Sequence, residues 1–180
     1  MEKQTKRNTV PQPADTILDD NQDFTRYTLW FIYSCIIYSI IGFSWGSLMG
    51  GIPEFRHFVN FTPHGHLIVL AHAHINLLGW VEMAIFGALY YVVPKLTKKP
   101  IYSMRLVKTH FWMHNVGLIG MVLLFCVAGI IGGISTADDV EKQVSHLLGL
   151  VGIFGTLVLL ANIIWGYNLF RTSIGWEKHQ

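Results

Sequence analysis

The sequence predicts an all-α protein, a four-helix transmembrane bundle. Its 180 residues are 52% hydrophobic and only 13% charged, with a mean hydropathy of +0.41, which is too apolar for an ordinary soluble domain. Four stretches reach the roughly 20 apolar residues that an α-helix needs to cross a bilayer. Glu82 is the single Asp, Glu, Lys or Arg within them. We therefore expect one multi-pass membrane domain.

The predicted elements follow one another with short connections. Residues 1–23 are polar and contain neither the apolar core nor the cleavage site of a signal peptide, so we expect a flexible cytoplasmic tail. The four-helix domain then occupies residues 24–180. Its predicted spans, none with an internal proline, are about 28–50, 65–93, 109–134 and 147–170.

Lysine and arginine predict the orientation of these spans. They are concentrated in the N-terminal tail, the 94–108 loop and the C-terminus, whereas the 51–63 and 135–146 loops contain one each. The positive-inside rule then places both termini in the cytoplasm. The formal net charge of +2 reflects this topology, and no basic cluster indicates nucleic-acid binding.

Two histidines interrupt the second span. His72 and His74 lie about 12–15 Å below the outer face, counting about 1.5 Å per residue from position 64. Two residues of an α-helix subtend about 200°, so the side chains point to nearly opposite faces and one metal ion cannot easily bind both. Hydrogen bonds to neighbouring carbonyls would explain them structurally, but ionisable side chains at this depth are usually functional. We interpret them as two ligands with separate partners.

The other histidines lie nearer the two membrane faces. The outer-face group comprises His57, His64, His66 and His146. Within it, His64 and His66 are candidates for an ion site. Neutral imidazole suits iron, copper or zinc, but zinc or calcium sites usually add cysteine or carboxylate ligands. A planar haem b held by axial histidines between helices fits an apolar bundle better than a bare ion does.

Three segments of the chain resemble a known family. They are HAHINLLGWVEMAIFGALYYVVPKL, THFWMHNVGLIG and SHLLGLVGIFGTLVLLANIIWGYNLFRTS. In this order they are similar to the last third of subunit I of the haem-copper oxidases, in particular the cbb-type cytochrome c oxidases and the nitric oxide reductases, over residues 60–172. The matching region of that family is one of three four-helix units. The resemblance therefore implies that this chain contains a single unit.

The resemblance also implies roles for the paired histidines. His72 would be the proximal ligand of a high-spin haem and His74 an axial ligand of a low-spin haem, so one or two haem b groups are expected. The candidates in this chain for the second ligand of the His74 haem are His114, His110, His146 and His66. A histidine of another copy or subunit is the alternative. The ligands of the active-site copper or non-haem iron belong to the other units, so we expect no complete oxygen or nitric oxide reductase as a monomer.

Two further features each have two interpretations. Glu82, about two turns below His74, is either a proton relay or a hydrogen-bond acceptor for a neighbouring helix. Gly42, Gly46 and Gly50 form overlapping G-x-x-x-G patterns on the first span. Such a face permits close helix contact, either inside the monomer, which we favour, or between copies.

These observations predict a haem b protein that carries electrons within a respiratory or nitrogen-oxide-linked complex of a prokaryotic cytoplasmic membrane. The expected partners are another copy or other membrane subunits, with quinol or a periplasmic cytochrome as redox partner. The alternatives are a membrane protein that binds copper or another metal through the outer-face histidines, and a gas sensor with an open haem position at His72.

Overall fold

The computed structural model describes residues 14–174, and their side chains from residue 23 onward. All the regular secondary structure in this part of the chain is helical. The elements are α1 (Ala14–Gly51), α2 (Pro53–Phe61), α3 (His66–His74), a π-helical segment (Ile75–Val81), α4 (Glu82–Thr97), α5 (Met104–Ile134) and α6 (Val140–Ile174).

Four of the helical stretches are long and apolar enough to cross a membrane. They are Asp23–Gly51, His66–Thr97, Met104–Ile134 and Val140–Ile174. Their number and order confirm the predicted four-helix transmembrane class. The second stretch is continuous from α3 through the π-helical segment to α4, and it includes Pro94 near its end.

The helix α1 begins at Ala14, inside the segment for which the sequence predicts a polar tail. The remainder of that tail, residues 1–13, lies outside the described residues, as do residues 175–180. The boundary between tail and bundle at residue 23 therefore stays a prediction.

The helix α5 is the centre of the bundle. It packs against α6 on one side and against α3 on the other, whereas α1 packs mainly against the π-helical segment and α4. Its inward face contains the buried His110, His114, Asn115 and Leu118, among others. Large apolar side chains on the outer faces, such as Ile40, are exposed, which is the arrangement expected of helices in contact with lipid or with other membrane subunits.

Glycines allow α1 to approach the second span closely. A Cβ atom at Gly42 would overlap the Asn76 side chain, and one at Gly46 would lie 3.0 Å from His72 Cε1. At Gly50 a Cβ atom would meet nothing within 4 Å. Gly42 and Gly46 therefore allow close helix contact inside the monomer. Of the three glycines in the G-x-x-x-G patterns, Gly50 alone is left without a neighbouring helix at its Cβ position in the described part of the chain.

The π-helical segment is not expected from the sequence pattern. In it the Glu82 N–H donates to Leu77 O, five residues back. Because α4 resumes at Glu82 with bonds four residues back, the change of pattern passes over one carbonyl, that of Leu78. This carbonyl is free to accept a hydrogen bond from a neighbouring helix.

Candidate functional site

His74 is oriented by the backbone of its own helix. Its Nδ1 lies 2.7 Å from Leu70 O, one turn earlier. A carbonyl oxygen can only accept, so Nδ1 carries the proton and Nε2 keeps its lone pair. The ring lies 5.2 Å, centroid to centroid, from Phe125 of α5, and the side chain is partly exposed. An imidazole held in this way is suited to act as a metal ligand through Nε2.

His72 faces the opposite side of the same helix. Its ring packs on Gly46 of α1 and lies 6.1 Å from the Trp45 ring, centroid to centroid. The Asn76 amide nitrogen is 3.2 Å from His72 Nδ1 and donates to His72 O at 2.9 Å. The two histidines thus contact different helices, as their spacing predicts. His72 packs against α1, whereas His74 packs against α5.

His110 and His114 lie near the N-terminal end of α5. Both are completely buried, with 0% of each residue exposed. His114 Nε2 is 3.0 Å from Leu78 O, so it donates to the carbonyl that the π-helical segment leaves free. The same nitrogen lies 3.8 Å from Glu82 Oε2. His110 Nδ1 lies 3.1 Å from the Tyr90 hydroxyl. One turn apart on α5, the two rings form a buried pair.

His74 and His114 differ in the neighbours that they contact. His74 contacts α5 at Phe125, eleven residues beyond His114, which is about 16 Å along the helix. His110 lies one turn further away. At the same time, His114 Nε2 reaches Leu78 O, one turn after His74, and the role of His114 as a second axial ligand stays a prediction.

The outer-face histidines are spread over three elements. His64 Nε2 lies 2.9 Å from Glu141 Oε1, which links the turn before α3 to the start of α6. The His64 and His66 rings are 6.4 Å apart, and His66 and His146 are exposed. Within residues 14–174, no three His, Cys, Asp or Glu side chains are grouped closely enough to hold a metal ion. A bare-ion site would thus depend on the His64–Glu141 pair and His66.

The donor chemistry of the described residues fits a haem better than an ion cage. His74 offers one neutral imidazole with a fixed tautomer, beside an aromatic ring and on an accessible flank, which is what an axial haem ligand requires. His72 instead faces α1, whose backbone at Gly46 approaches its ring.

Comparison with known proteins agrees with this chemistry. A family model described as cytochrome c and quinol oxidase polypeptide I matches residues 14–158. The chain is 31% identical over 63% of its length to cytochrome c oxidase subunit 1 of Rhodobacter capsulatus. It is 32% identical over 63% of its length to the cbb3-type cytochrome c oxidase subunit CcoN1 of Stutzerimonas stutzeri.

A more distant relative is cytochrome c oxidase subunit 1 of Thermus thermophilus, 24% identical over 79% of the chain. The aligned regions are 24%, 27% and 26% of the three relatives, so the chain spans about a quarter of the length of the curated proteins that it matches. Four spans with histidines inside the second, together with a family match over most of the chain, identify this protein as a partial relative of haem-copper oxidase subunit I, a member of the cytochrome c and quinol oxidase polypeptide I family.

Proposed function

We propose that this chain is a membrane redox subunit that binds one b-type haem through His74, with the second axial ligand supplied by another chain. The observation that carries the proposal is the 2.7 Å hydrogen bond between His74 Nδ1 and Leu70 O, which leaves Nε2 unprotonated on an accessible flank of the bundle. A bound haem b would take up and pass on one electron at a time.

The similarity to oxidase subunits supports a place in a multi-subunit membrane complex. Relatives named as subunits of cytochrome c oxidases match more than half of the chain. Because the chain spans about a quarter of their length, we propose no reduction of oxygen or nitric oxide by the monomer alone. We propose instead electron transfer within a complex, with quinol or a periplasmic cytochrome as the redox partner.

The position of His74 explains why a partner is needed. Its side chain is partly exposed at a depth where the bundle meets hydrocarbon. A polar atom without a partner is destabilising by several kcal/mol in that environment. Because His114 Nε2 already donates to Leu78 O and both histidines of α5 are completely buried, we propose that neither supplies the second ligand. Another copy of this chain, or a separate membrane subunit, would complete the haem pocket.

The test of this proposal is the haem content and the mass of the purified complex. We expect a Soret band, a b-type pyridine haemochrome spectrum and, in mild detergent, a mass larger than that of one chain. A monomer with full haem content would contradict the shared pocket. Full haem content in the double variant with His72→Ala and His74→Ala would contradict the ligand assignment. A colourless protein would favour the alternative of outer-face metal binding.

We further propose that both termini face the cytoplasm in the cytoplasmic membrane of a prokaryote. The arrangement of lysine and arginine supports this orientation, and it places His74 in the periplasmic half of the bilayer. A reporter active only in the periplasm, fused after Gln180, should be inactive, whereas one inserted in the 135–146 loop should be active. The reverse result would contradict the topology and place the haem on the other side.

A further inference from the structure

Three aromatic side chains that pack against the ring of Phe86, together with Glu82 one turn away, each contain a buried polar atom without a hydrogen-bond partner in the described part of the chain. The four atoms are Glu82 Oε2, His110 Nε2, His114 Nδ1 and Trp165 Nε1. The centroid of the Phe86 ring is 4.5 Å from that of His110, 5.1 Å from that of His114 and 5.0 Å from that of Trp165. Glu82 lies one turn before Phe86, so the two side chains leave the same face of α4. We call these four polar side chains the inner cluster.

The inner cluster has the hydrogen-bonding pattern of a water site. An unsatisfied polar atom in a protein interior is strongly destabilising, and ordered water commonly satisfies such atoms. The Trp165 indole can only donate. His114 Nδ1 can only accept, because the ring proton is on the Nε2 that donates to Leu78 O. Water both donates and accepts, whereas a cation would be repelled by the indole N–H.

A line of hydrogen-bonding groups connects the inner cluster with the loop between α4 and α5. The Tyr90 hydroxyl is 3.1 Å from His110 Nδ1, and the Asn168 side chain lies within hydrogen-bonding reach of Tyr90. Asn168 in turn binds the backbone N–H and C=O of Ser103, at 3.0 and 3.1 Å. Ser103 is partly exposed. The line therefore runs from the 98–103 loop to the interior of the bundle.

At the other end of the line, Glu82 opens towards the outside of the bundle. Its side chain is 31% exposed, and the groups that face it are His114 from α5 and the uncharged Asn162 from α6. Proton exchange at this carboxylate through hydrocarbon is blocked, because the bilayer core contains no water. The inner cluster offers the polar route to it.

We propose that the inner cluster holds internal water and transfers protons between the 98–103 loop and Glu82. In the transfer step a water molecule gives a proton to His114 Nδ1, and the proton already on Nε2 passes to Glu82 Oε2, 3.8 Å away. An O–H bond forms on Glu82 as the N–H bond at Nε2 breaks. His114 is left neutral with its proton on Nδ1. The water regains its proton from His110 Nε2 as the Tyr90 O–H proton passes to His110 Nδ1. Internal water from the side of the 98–103 loop reprotonates the Tyr90 oxygen, since the Asn168 amide positions the loop but does not relay protons.

Infrared difference spectroscopy on the reconstituted full chain tests this proposal without using the haem. After a jump in buffer pH, we expect a titrating carboxyl band that shifts in D2O and is absent in Glu82→Gln. Tyr90→Phe keeps the ring and removes the hydroxyl, so it should slow the appearance of the band by about a hundredfold, the scale of a positioned proton-transfer group. Tyr91→Phe is the matched control, because Tyr91 is exposed on the same helix, and its rate should equal that of the wild type.

A third variant tests the water site itself. Trp165→Phe removes one donor while keeping an aromatic ring, so we expect the bands of weakly hydrogen-bonded internal water to change. Unchanged water bands in this variant would overturn the water site. A titrating carboxyl band that persists in Glu82→Gln, or equal rates in the two tyrosine variants, would overturn the transfer route. Because none of these readouts involves haem, failure of the haem proposal leaves the test intact.

Discussion

His74 and His114 use the same hydrogen bond in opposite surroundings. Each donates one ring N–H to a backbone carbonyl, His74 to Leu70 O at 2.7 Å and His114 to Leu78 O at 3.0 Å. The proton is on Nδ1 in His74 and on Nε2 in His114. His74 therefore presents the outer nitrogen of its ring to an accessible flank, whereas His114 keeps the nitrogen nearer the backbone, inside a closed core.

The difference shows that the depth of a histidine in a membrane span is not enough to identify it as a metal ligand. Nε2 at the end of the side chain can reach a bulky planar group, but Nδ1 of a completely enclosed ring can reach only small molecules such as water. Local hydrogen bonding selects the free nitrogen, and the packing of the helices decides what can approach it.

The largest expected effect is the difference in haem content between two single variants, His74→Ala and His114→Ala. His74→Ala should remove the low-spin haem signal, because the axial ligand is lost. His114→Ala should keep the haem content of the wild type, because its Nε2 donates to Leu78 O and its ring is completely enclosed. Pyridine haemochrome assays normalised to protein measure both variants. Loss of haem from both, with the fold retained, would place His114 in the haem pocket after all.

His72→Ala belongs to the same experiment. The residue packs against α1, so we expect it to affect a different haem or none. If the low-spin signal disappears in His72→Ala and survives in His74→Ala, the axial ligand of the low-spin haem is His72 and not His74.

A second pair of variants tests the close packing of α1 against the second span. Gly42→Val should destabilise the bundle by about 1–3 kcal/mol, the range for overpacking a tight contact, because a Cβ atom there overlaps Asn76. Gly50→Val is the matched control on the same helix face, where a Cβ atom meets nothing within 4 Å. Unfolding in mixed micelles, followed by circular dichroism, measures both. Equal stability of the two variants would mean that α1 does not approach the second span this closely.

A third variant tests the inner end of the bundle. Asn168→Leu removes the amide that binds both backbone groups of Ser103, and Asn168 is completely buried. We expect a loss of about 2 kcal/mol in unfolding free energy, because two backbone groups lose their partner. Asn162→Leu is the control, since Asn162 is only partly buried and donates to a carbonyl of its own helix. A smaller effect of Asn168→Leu than of Asn162→Leu would contradict the role of Asn168 in holding the loop.

The sequence predicted the parts of this molecule that depend on hydrophobic length and on helical periodicity. The four spans follow from runs of apolar residues, and the opposed faces of His72 and His74 follow from their spacing. The π-helical segment was missed, because one extra residue per turn hardly changes an apolar pattern, although the polar Asn76 and small Gly79 within it are where α1 packs. That segment frees Leu78 O, and it therefore determines how His114 is used.

The candidate site was predictable only within one helix. The sequence identified His72, His74 and Glu82. The relative axial positions of α3 and α5, however, depend on loop lengths and side-chain packing, which the hydrophobic periodicity of a single helix does not predict. Hence the contact of His114 with Leu78 O was not foreseen, and the role of His114 as a haem ligand stays a prediction. Trp165, whose indole completes the inner cluster, was not singled out, because a single tryptophan in an apolar span is typical of ordinary packing.

The smallest expected effect concerns the outer face, where His64 pairs with Glu141. The side chains are 19% and 78% exposed, so Glu141→Gln should cost about 0.5 kcal/mol or less, as for other exposed pairs. His64→Asn should be equally mild, because asparagine tolerates the left-handed backbone that His64 adopts, with φ of 58°. His64→Val should be clearly worse, since a β-branched residue is strained in that conformation.

Asp138→Asn provides the control for the outer-face pair, as another exposed carboxylate, in the turn just before α6. The same unfolding assay ranks the four variants, and His64→Val should be the least stable. If Glu141→Gln instead released haem as well as stability, the outer face would be coupled to the His74 pocket. The turn that contains His64 and leads into α3 would then be part of the accessible His74 site.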